Sequence, residues 1–405
     1  MGTHDDTGLV SRSAGPQALG AALRASRRDT LATFEVCAAG LPGLEVPQRD
    51  DLNPPLWELG HIGWFQEYWL ARNPARARGA HADPLIARFA PLRPGADALY
   101  DSSHVPHDSR WSLPLPDAAA TRADLARQLD RTLALLRDAP EDDDGLYFFR
   151  LALLHEDMHH EAALYMGQAL GLPQDDARWQ PQRLPEANAG LSFDAGPWRL
   201  GLEGSGFAFD NELQAQNQDL AAFCIDGYAR RWADFLPFVE AGGYDDAHCW
   251  SAAGNAWREG SGRTAPRYVQ RTGNGWEQLR RGRWVALDPA HAACHLNAFE
   301  AEAWCAWAGR RLPTETEWER AAVERPADFR WGDVWEWTAS PFAAYPGFVA
   351  NPYRDYSAPW FGSRPVLRGA SFMTQPRMRH PRYRNYFTPE RDDVATGLRS
   401  CALQE

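Results

Sequence analysis

Around residue 172 the sequence changes its grammar, and one core cannot serve both halves. Upstream, four stretches, roughly 16–39, 55–72, 118–138 and 146–171, repeat apolar residues with the 3.6-residue period of a helix. In the third, Leu125, Leu129, Leu133 and Leu136 recur at spacings of four, four and three and make a single stripe. Proline and glycine punctuate the gaps, as in "GLPGLEVPQ" and "LRPGAD". From about 190 onward, short apolar runs alternate with glycine, aromatic and turn residues, as in "GPWRLGLEGSGFAFDNE" and "GNGWEQLRRGRWVAL". Only 231–241 and 298–308 carry a convincing helical pattern there, the latter stopped by Gly309.

At 405 residues the chain exceeds the usual span of one hydrophobic core. The expectation is therefore an α+β protein of two domains. Residues 15–172 form a four-helix bundle, 173–190 ("PQDDARWQPQRLPEANAG") a linker, and 191–405 an irregular α+β domain. Eighteen tryptophans suit an aromatic-lined pocket or a loop-rich domain held by large side chains. A net charge of −12 argues against nucleic-acid binding, which calls for basic surface. No apolar run reaches the 18 residues needed to span a membrane, and "MGTHDDTGLVSRSAG" lacks the apolar segment of a signal peptide. The six cysteines form no CxxC pair and read as buried free thiols of a cytoplasmic protein.

Chemistry concentrates in "LLHEDMHHEA", residues 153–162. On a helix His155 and His159 lie one turn apart on one face, a spacing that lets two imidazoles reach one metal ion. Glu161 points away from that face, so a structural or supporting role is expected for it, and His160 lies about 100° off the pair. The spacing alone equally fits a solvated or core-packed pair. His61, within "NPPLWELGHIGWFQEYWL", is the other histidine on an expected bundle helix. Alone it reads as a hydrogen-bonded core residue. With the pair it makes a neutral-nitrogen set with open positions, suited to non-haem iron or catalytic zinc.

"HEDMHHEA" resembles the HxxxHxE signature of the iron-dependent sulfoxide synthases of ergothioneine biosynthesis, and "PPLWELGHIGWFQEYWL" the segment supplying that family's third histidine. The second half resembles the formylglycine-generating-enzyme domain. "FAFDNE", "WADFLPFVEAGGYDD", "HLNAFEAEAWCAWAGRRLPTETEWERAA", "GDVWEWTASPF" and "VLRGASF…YRNYF…TGLR" occur in its order. The resemblance implies a DinB-like bundle followed by a formylglycine-generating-enzyme or C-type-lectin-like domain. It also implies iron(II) on His61, His155 and His159, with hercynine and dioxygen as substrates. The formylglycine-generating enzymes' cysteine pair has no counterpart in "RGASFMTQPRMRHPRYRNYF", which argues against their copper chemistry.

In the same family, "YRNYF" matches the segment that contacts hercynine, making Asn385 and Tyr386 candidates, with aromatic faces suited to a trimethylammonium, while substrate-lining Phe387 stands where mycobacterial-type members have an aspartate. Tyr353 aligns best with the family's active-site tyrosine, a proton or hydrogen-atom donor, with Tyr345 and Tyr356 as rivals. Members using γ-glutamylcysteine or cysteine carry an arginine-rich loop after the second helix. The loop here, "DALYDSSHVPHDSRWSLPLPD", has only Arg110, and Met158 replaces a glutamine of some members. Such loss of ionic anchors resembles the selenoneine synthases, whose donor is a selenosugar. Ser102, Ser103, His104 and Trp111 would then serve a sugar, with a thiol co-substrate as the alternative. A binding module without catalysis, its lectin-like domain holding a small ligand, is the reading from another class.

Overall fold

The computed structural model describes residues 7–403. After a short helix α1 (Thr7–Ser13) come the four long bundle helices, interrupted by one short one. They are α2 (Pro16–Gly40), α3 (Pro55–Trp69), the five-residue α4 (Ala96–Tyr100), α5 (Ala118–Arg137) and α6 (Asp143–Ala169). Their starts carry the expected signals. Pro16 and Pro55 occupy the first turns of α2 and α3, where a missing N–H costs nothing. Asp117 and Asp142 cap α5 and α6 by accepting hydrogen bonds from Ala120 N and Gly145 N, each 2.7 Å. In α3 every residue except Leu56 and Tyr68 is buried, so this helix is enclosed on all sides. α6 ends where Gly171 adopts φ +71°, a left-handed stop that also admits the backbone of Gly282 at close range.

The second half contains α7 (Trp232–Glu240), α8 (Ala252–Ser261), α9 (Ala298–Trp307) and α10 (Glu315–Glu324). The sequence pattern anticipated α7 and α9 but not the other two. α8 fully buries only Gly254 and sets Trp257 part-buried against the core, with Ser251 and the left-handed Gly262 bracketing it. α10 carries a capping box in which Thr314 and Glu317 satisfy each other's backbone, a signal that its charged "ETEWERAAVE" pattern obscured.

Small sheets surround these helices. One pairs Gly190–Phe193 with Phe223–Asp226, then Cys401–Ala402, then Arg310–Arg311, all antiparallel. Another places Pro365–Gly369 between Asn385–Tyr386 and Trp335–Pro341, with Thr396–Leu398 parallel on the far edge. The interior of this domain holds arginine as well as aromatic side chains. Arg399 forks onto Glu336, Arg384 onto Glu315, and Arg368 pairs with Glu319, all fully or almost fully buried.

The stretch expected to act as a linker is pinned. Trp179 and Leu184 are buried, and Leu184 N donates to Ala290 O at 2.8 Å. The halves are also joined through α6. A single oxygen of buried Glu161 accepts from Trp335 Nε1 (2.8 Å), Ser371 Oγ (2.7 Å) and Thr374 Oγ1 (2.8 Å). Asp157 receives both arms of Arg377, each at 2.9 Å. The six cysteines are free thiols. Among the described residues no helix is long and apolar enough to cross a membrane.

Candidate metal centre

His61 from α3 and His155 and His159 from α6 meet in the bundle, with one ring nitrogen of each lying within 4.8 Å of the others. Ring centroids are 5.1 Å apart for His61 and His155, 4.9 Å for His61 and His159, and 4.4 Å for His155 and His159. The convergence follows from α3 packing directly on α6. Gly60 lets α4 close on α3 beside His61, since a β-carbon there would stand 2.3 Å from the Tyr100 ring.

Hydrogen bonds set the orientation of two rings. His61 Nδ1 donates to Tyr100 O at 2.8 Å, and His159 Nδ1 donates to Glu58 Oε2 at 2.5 Å. With Nδ1 protonated, each Nε2 keeps its lone pair for another partner. Neither bond was legible in the sequence, although an acid on an enclosed apolar helix was a hint. His155 is placed by stacking instead, its ring lying flat on Phe65 at 3.5 Å, and its buried Nδ1 has no hydrogen-bond partner.

Electrostatics favour the neutral form of His61 and of His155. Burial, followed by the proximity of His159, pushes His61 down to about 3. Burial and the two neighbouring histidines likewise hold His155 well below its ordinary value. Burial alone would raise Glu58, but the His159 imidazole and its hydrogen bond outweigh it and leave the carboxyl below its usual range. Three converging imidazoles, one with an orphaned buried nitrogen, fit a divalent metal of the iron or zinc class.

The remaining polar groups of the segment have structural partners. His160 lies between Thr33 Oγ1 (3.0 Å) and Gln375 Nε2 (3.2 Å). Glu156 is forked by Arg27. The two-residue offset of Glu161 aims it at the other domain, as described above.

Two clefts flank this region; His159 lines the first, whereas none of the three histidines lines the second. The first, of about 310 Å³, is lined by Met158, His159, Tyr383, Asn385, Tyr386 and Phe387, among others. Tyr386 stacks on Phe342 at 3.9 Å and donates to Tyr356 O. Met158 Sδ accepts from Tyr383 Oη at 3.6 Å, and Tyr356 and Tyr383 share a 2.9 Å hydrogen bond. The second, of about 250 Å³, is bounded by Trp64, Phe65, Tyr68 and Trp69, by Asp101 to His104, and by Pro352 to Asp355.

Tyr353 stands at the boundary between this second cleft and the histidines. Its ring is 5.0 Å from Phe65 and 6.3 Å from His155, and burial pushes its phenol up. Tyr345 instead donates to Glu315 beneath Arg384, while Tyr356 is engaged with Tyr383. Ser103 donates to Asp355 across the second cleft. Arg110 lies flat on Trp57 at 3.8 Å and donates to Asn53, beside Glu58 but lining neither cleft. Trp111 also lines neither, because its indole N–H is committed to Val46 O. The sequence alone did not separate these two from Ser103, since all three lie on one irregular loop.

Two family models match the chain: the DinB superfamily over residues 22–163 and the sulfatase-modifying factor enzyme 1-like domain over 176–333. The hercynine oxygenase of Mycolicibacterium smegmatis is 32% identical, with 92% of this chain and 98% of that protein aligned. The chain belongs to the hercynine oxygenase family. The hercynine oxygenase of Mycolicibacterium thermoresistibile is 33% identical over 87% of this chain and 88% of its own length. A formylglycine-generating enzyme of Streptomyces coelicolor is 33% identical over 42% of this chain and 58% of that protein. Membership of the hercynine oxygenase family thus accounts for both halves at once, whereas the formylglycine-generating enzyme matches only part of the chain. The DinB-like bundle and α+β second domain are those expected from the sequence.

Proposed function

We propose that the protein is an iron(II)- and dioxygen-dependent enzyme that joins carbon 2 of the hercynine imidazole to the selenium of a selenosugar. The stoichiometry closes on a selenoxide. The C–H and Se–H bonds are lost, a C–Se bond forms, and one oxygen atom goes to selenium and the other to water. The observation that carries the oxygenase reading is the meeting of His61, His155 and His159, with His159 lining one cleft and Phe65 and Tyr353 standing between His155 and a second, in a chain of this family. Iron(II) held by these imidazoles would supply the reduction of dioxygen and a common point of attachment for both substrates.

The protein's own groups do the rest. Glu58 and the Tyr100 carbonyl fix the orientation of two imidazoles. The cleft of Tyr383, Asn385, Tyr386 and Phe387 suits hercynine, with aromatic faces for its trimethylammonium. Tyr353 holds a phenolic proton beside His155, as a proton donor to the oxygen chemistry requires.

The second cleft supports a sugar as the donor. Its carboxylates, Asp101 and Asp355, accept from hydroxyl groups and repel the carboxylates of a cysteine-type donor, while Trp64, Tyr68 and Trp69 offer stacking faces. Arg354, the one cation lining it, is exposed. The site residues of this reading are His61, His155 and His159 for the metal and Tyr353 for the proton. Asn385, Tyr386, Phe387 and Met158 serve hercynine, and Ser103 the donor.

The test offers anaerobic, iron-loaded protein and hercynine with selenoglucose, γ-glutamylcysteine or cysteine, then admits air and identifies products by mass spectrometry. The expected product is the selenium adduct. Product with the thiols alone overturns the selenium donor and leaves a sulfoxide synthase. Full activity in alanine variants of His61, His155 and His159 overturns the metal centre.

A further inference from the structure

The cleft beside His159 contains a cation for which the reading so far has no use. Of the residues lining it, Arg364 is the sole arginine or lysine. Its guanidinium lies over Trp360 at 4.1 Å and over Tyr386 at 5.9 Å. The side chain is half-buried, and among the described residues no carboxylate stands within ion-pair distance of it, Glu390 acting on it only from farther away. Its arginine neighbours are different: Arg384 is forked onto Glu315, and Arg391 is paired with Asp393. A partly desolvated charge without a counter-ion costs free energy, which an incoming anion would recover. Stacking on Trp360 fixes the plane of the guanidinium while leaving its N–H edges available, the geometry that receives a carboxylate with two parallel hydrogen bonds.

The cleft therefore carries a cation-seeking aromatic wall (Tyr383, Tyr386, Phe387), one anion-seeking guanidinium and, at its inner end, His159. An amino-acid betaine presents the complementary set: a quaternary ammonium, a carboxylate and, through its side chain, an imidazole. We infer that Arg364 is the anchor for the carboxylate of the betaine substrate, fixing which end of that molecule faces the histidines. The inference rests on hercynine being a substrate. A selenosugar has no carboxylate to compete for Arg364, so both co-substrates can be seated without rivalry.

Isothermal titration of anaerobic, iron-loaded protein compares hercynine with N,N,N-trimethylhistamine, which lacks the carboxylate, in the absence of any donor. Wild-type protein should prefer hercynine by about 10- to 100-fold, the range of a charge-assisted hydrogen-bonded pair. Arg364→Ala should lose that preference by weakening hercynine alone, and Arg364→Lys should restore part of it. Melting temperatures close to wild type establish that the variants are folded. Retention of the preference in Arg364→Ala, or loss of both ligands by the folded variant, overturns the inference. Failure of wild-type protein to bind hercynine overturns the substrate reading, and the inference falls with it.

Discussion

Glu58 on α3 accepts the Nδ1 hydrogen of His159 on α6 at 2.5 Å, so one wall of the candidate metal centre orients the imidazole supplied by the other. The same carboxylate takes a second hydrogen bond, from Asn53 Nδ2 at 2.7 Å, and Asn53 in turn accepts from Arg110. Arg110 thus reaches the site through Asn53 and Glu58 rather than by contacting either cleft. This chain of contacts connects the α3 entry segment, the irregular loop before α5 and the α6 histidines.

Removing the acceptor should loosen the metal without dismantling the fold. Glu58→Ala is expected to weaken iron(II) binding by about 10- to 100-fold, the usual effect of deleting a ligand's hydrogen-bond partner. Glu58→Gln, whose carbonyl can still accept from Nδ1, should lose less. An anaerobic metal titration followed by spectroscopy measures both. Wild-type affinity in Glu58→Ala would show that the hydrogen bond does not position His159.

Tyr353→Phe keeps the aromatic edge against Phe65 and removes only the hydroxyl. Turnover should fall by at least about 100-fold if that hydroxyl supplies the proton, the lower end of general-acid contributions. Iron binding should remain as in wild type, because the ring makes no hydrogen bond to a histidine. A wild-type rate and product ratio would transfer the role to Tyr356, whose ring is 5.9 Å away.

The bundle was legible because its helices obey one rule. The expected stretches 16–39, 55–72, 118–138 and 146–171 overlap α2, α3, α5 and α6 with ends shifted by only a few residues. The approach of His61 to His155 was not legible from periodicity, since spacing fixes the face of one helix but not the partner helix it meets. Motif resemblance supplied that pairing. In the second half the hydrophobic pattern fails for a physical reason: Arg368, Arg384 and Arg399 lie in the interior beside Glu319, Glu315 and Glu336. A core built partly from charges gives no apolar alternation to read, and strands as short as Arg310–Arg311 leave no period at all. Arg364 went unnoticed because its role depends on what surrounds it, namely Trp360, Tyr386 and, among the described residues, no acid in ion-pair contact.

Glu161 gives the domain junction a single point of failure. Glu161→Ala would leave the N–H of Trp335 and the hydroxyls of Ser371 and Thr374 without their shared acceptor. Each such buried group costs about 1–3 kcal/mol when unsatisfied, so a loss of about 3 kcal/mol or more is expected. Glu161→Gln retains a carbonyl acceptor and should lose about 1 kcal/mol. Urea unfolding monitored by tryptophan fluorescence distinguishes the two. Equal, small losses would mean that the halves are joined mainly elsewhere, for example through Arg377 and Asp157.

Glu300 makes stability depend on pH in a defined direction. It is fully buried in the first turn of α9, accepting from Tyr244 Oη at 2.6 Å and from Asn297 N at 2.9 Å. Burial outweighs these bonds and raises its carboxyl from 4.5 to about 7. The unfolded chain releases this proton near pH 4.5 while the folded protein retains it until about pH 7. Between those values each rise in pH therefore favours unfolding, and above pH 7 the full penalty of about 3 kcal/mol applies. Glu300→Gln cannot ionise and escapes this penalty. Relative to wild type, the variant should gain about 3 kcal/mol between pH 4.5 and pH 8 in urea unfolding experiments. A stability difference that stays constant across that interval would show that Glu300 ionises at its ordinary pH despite burial.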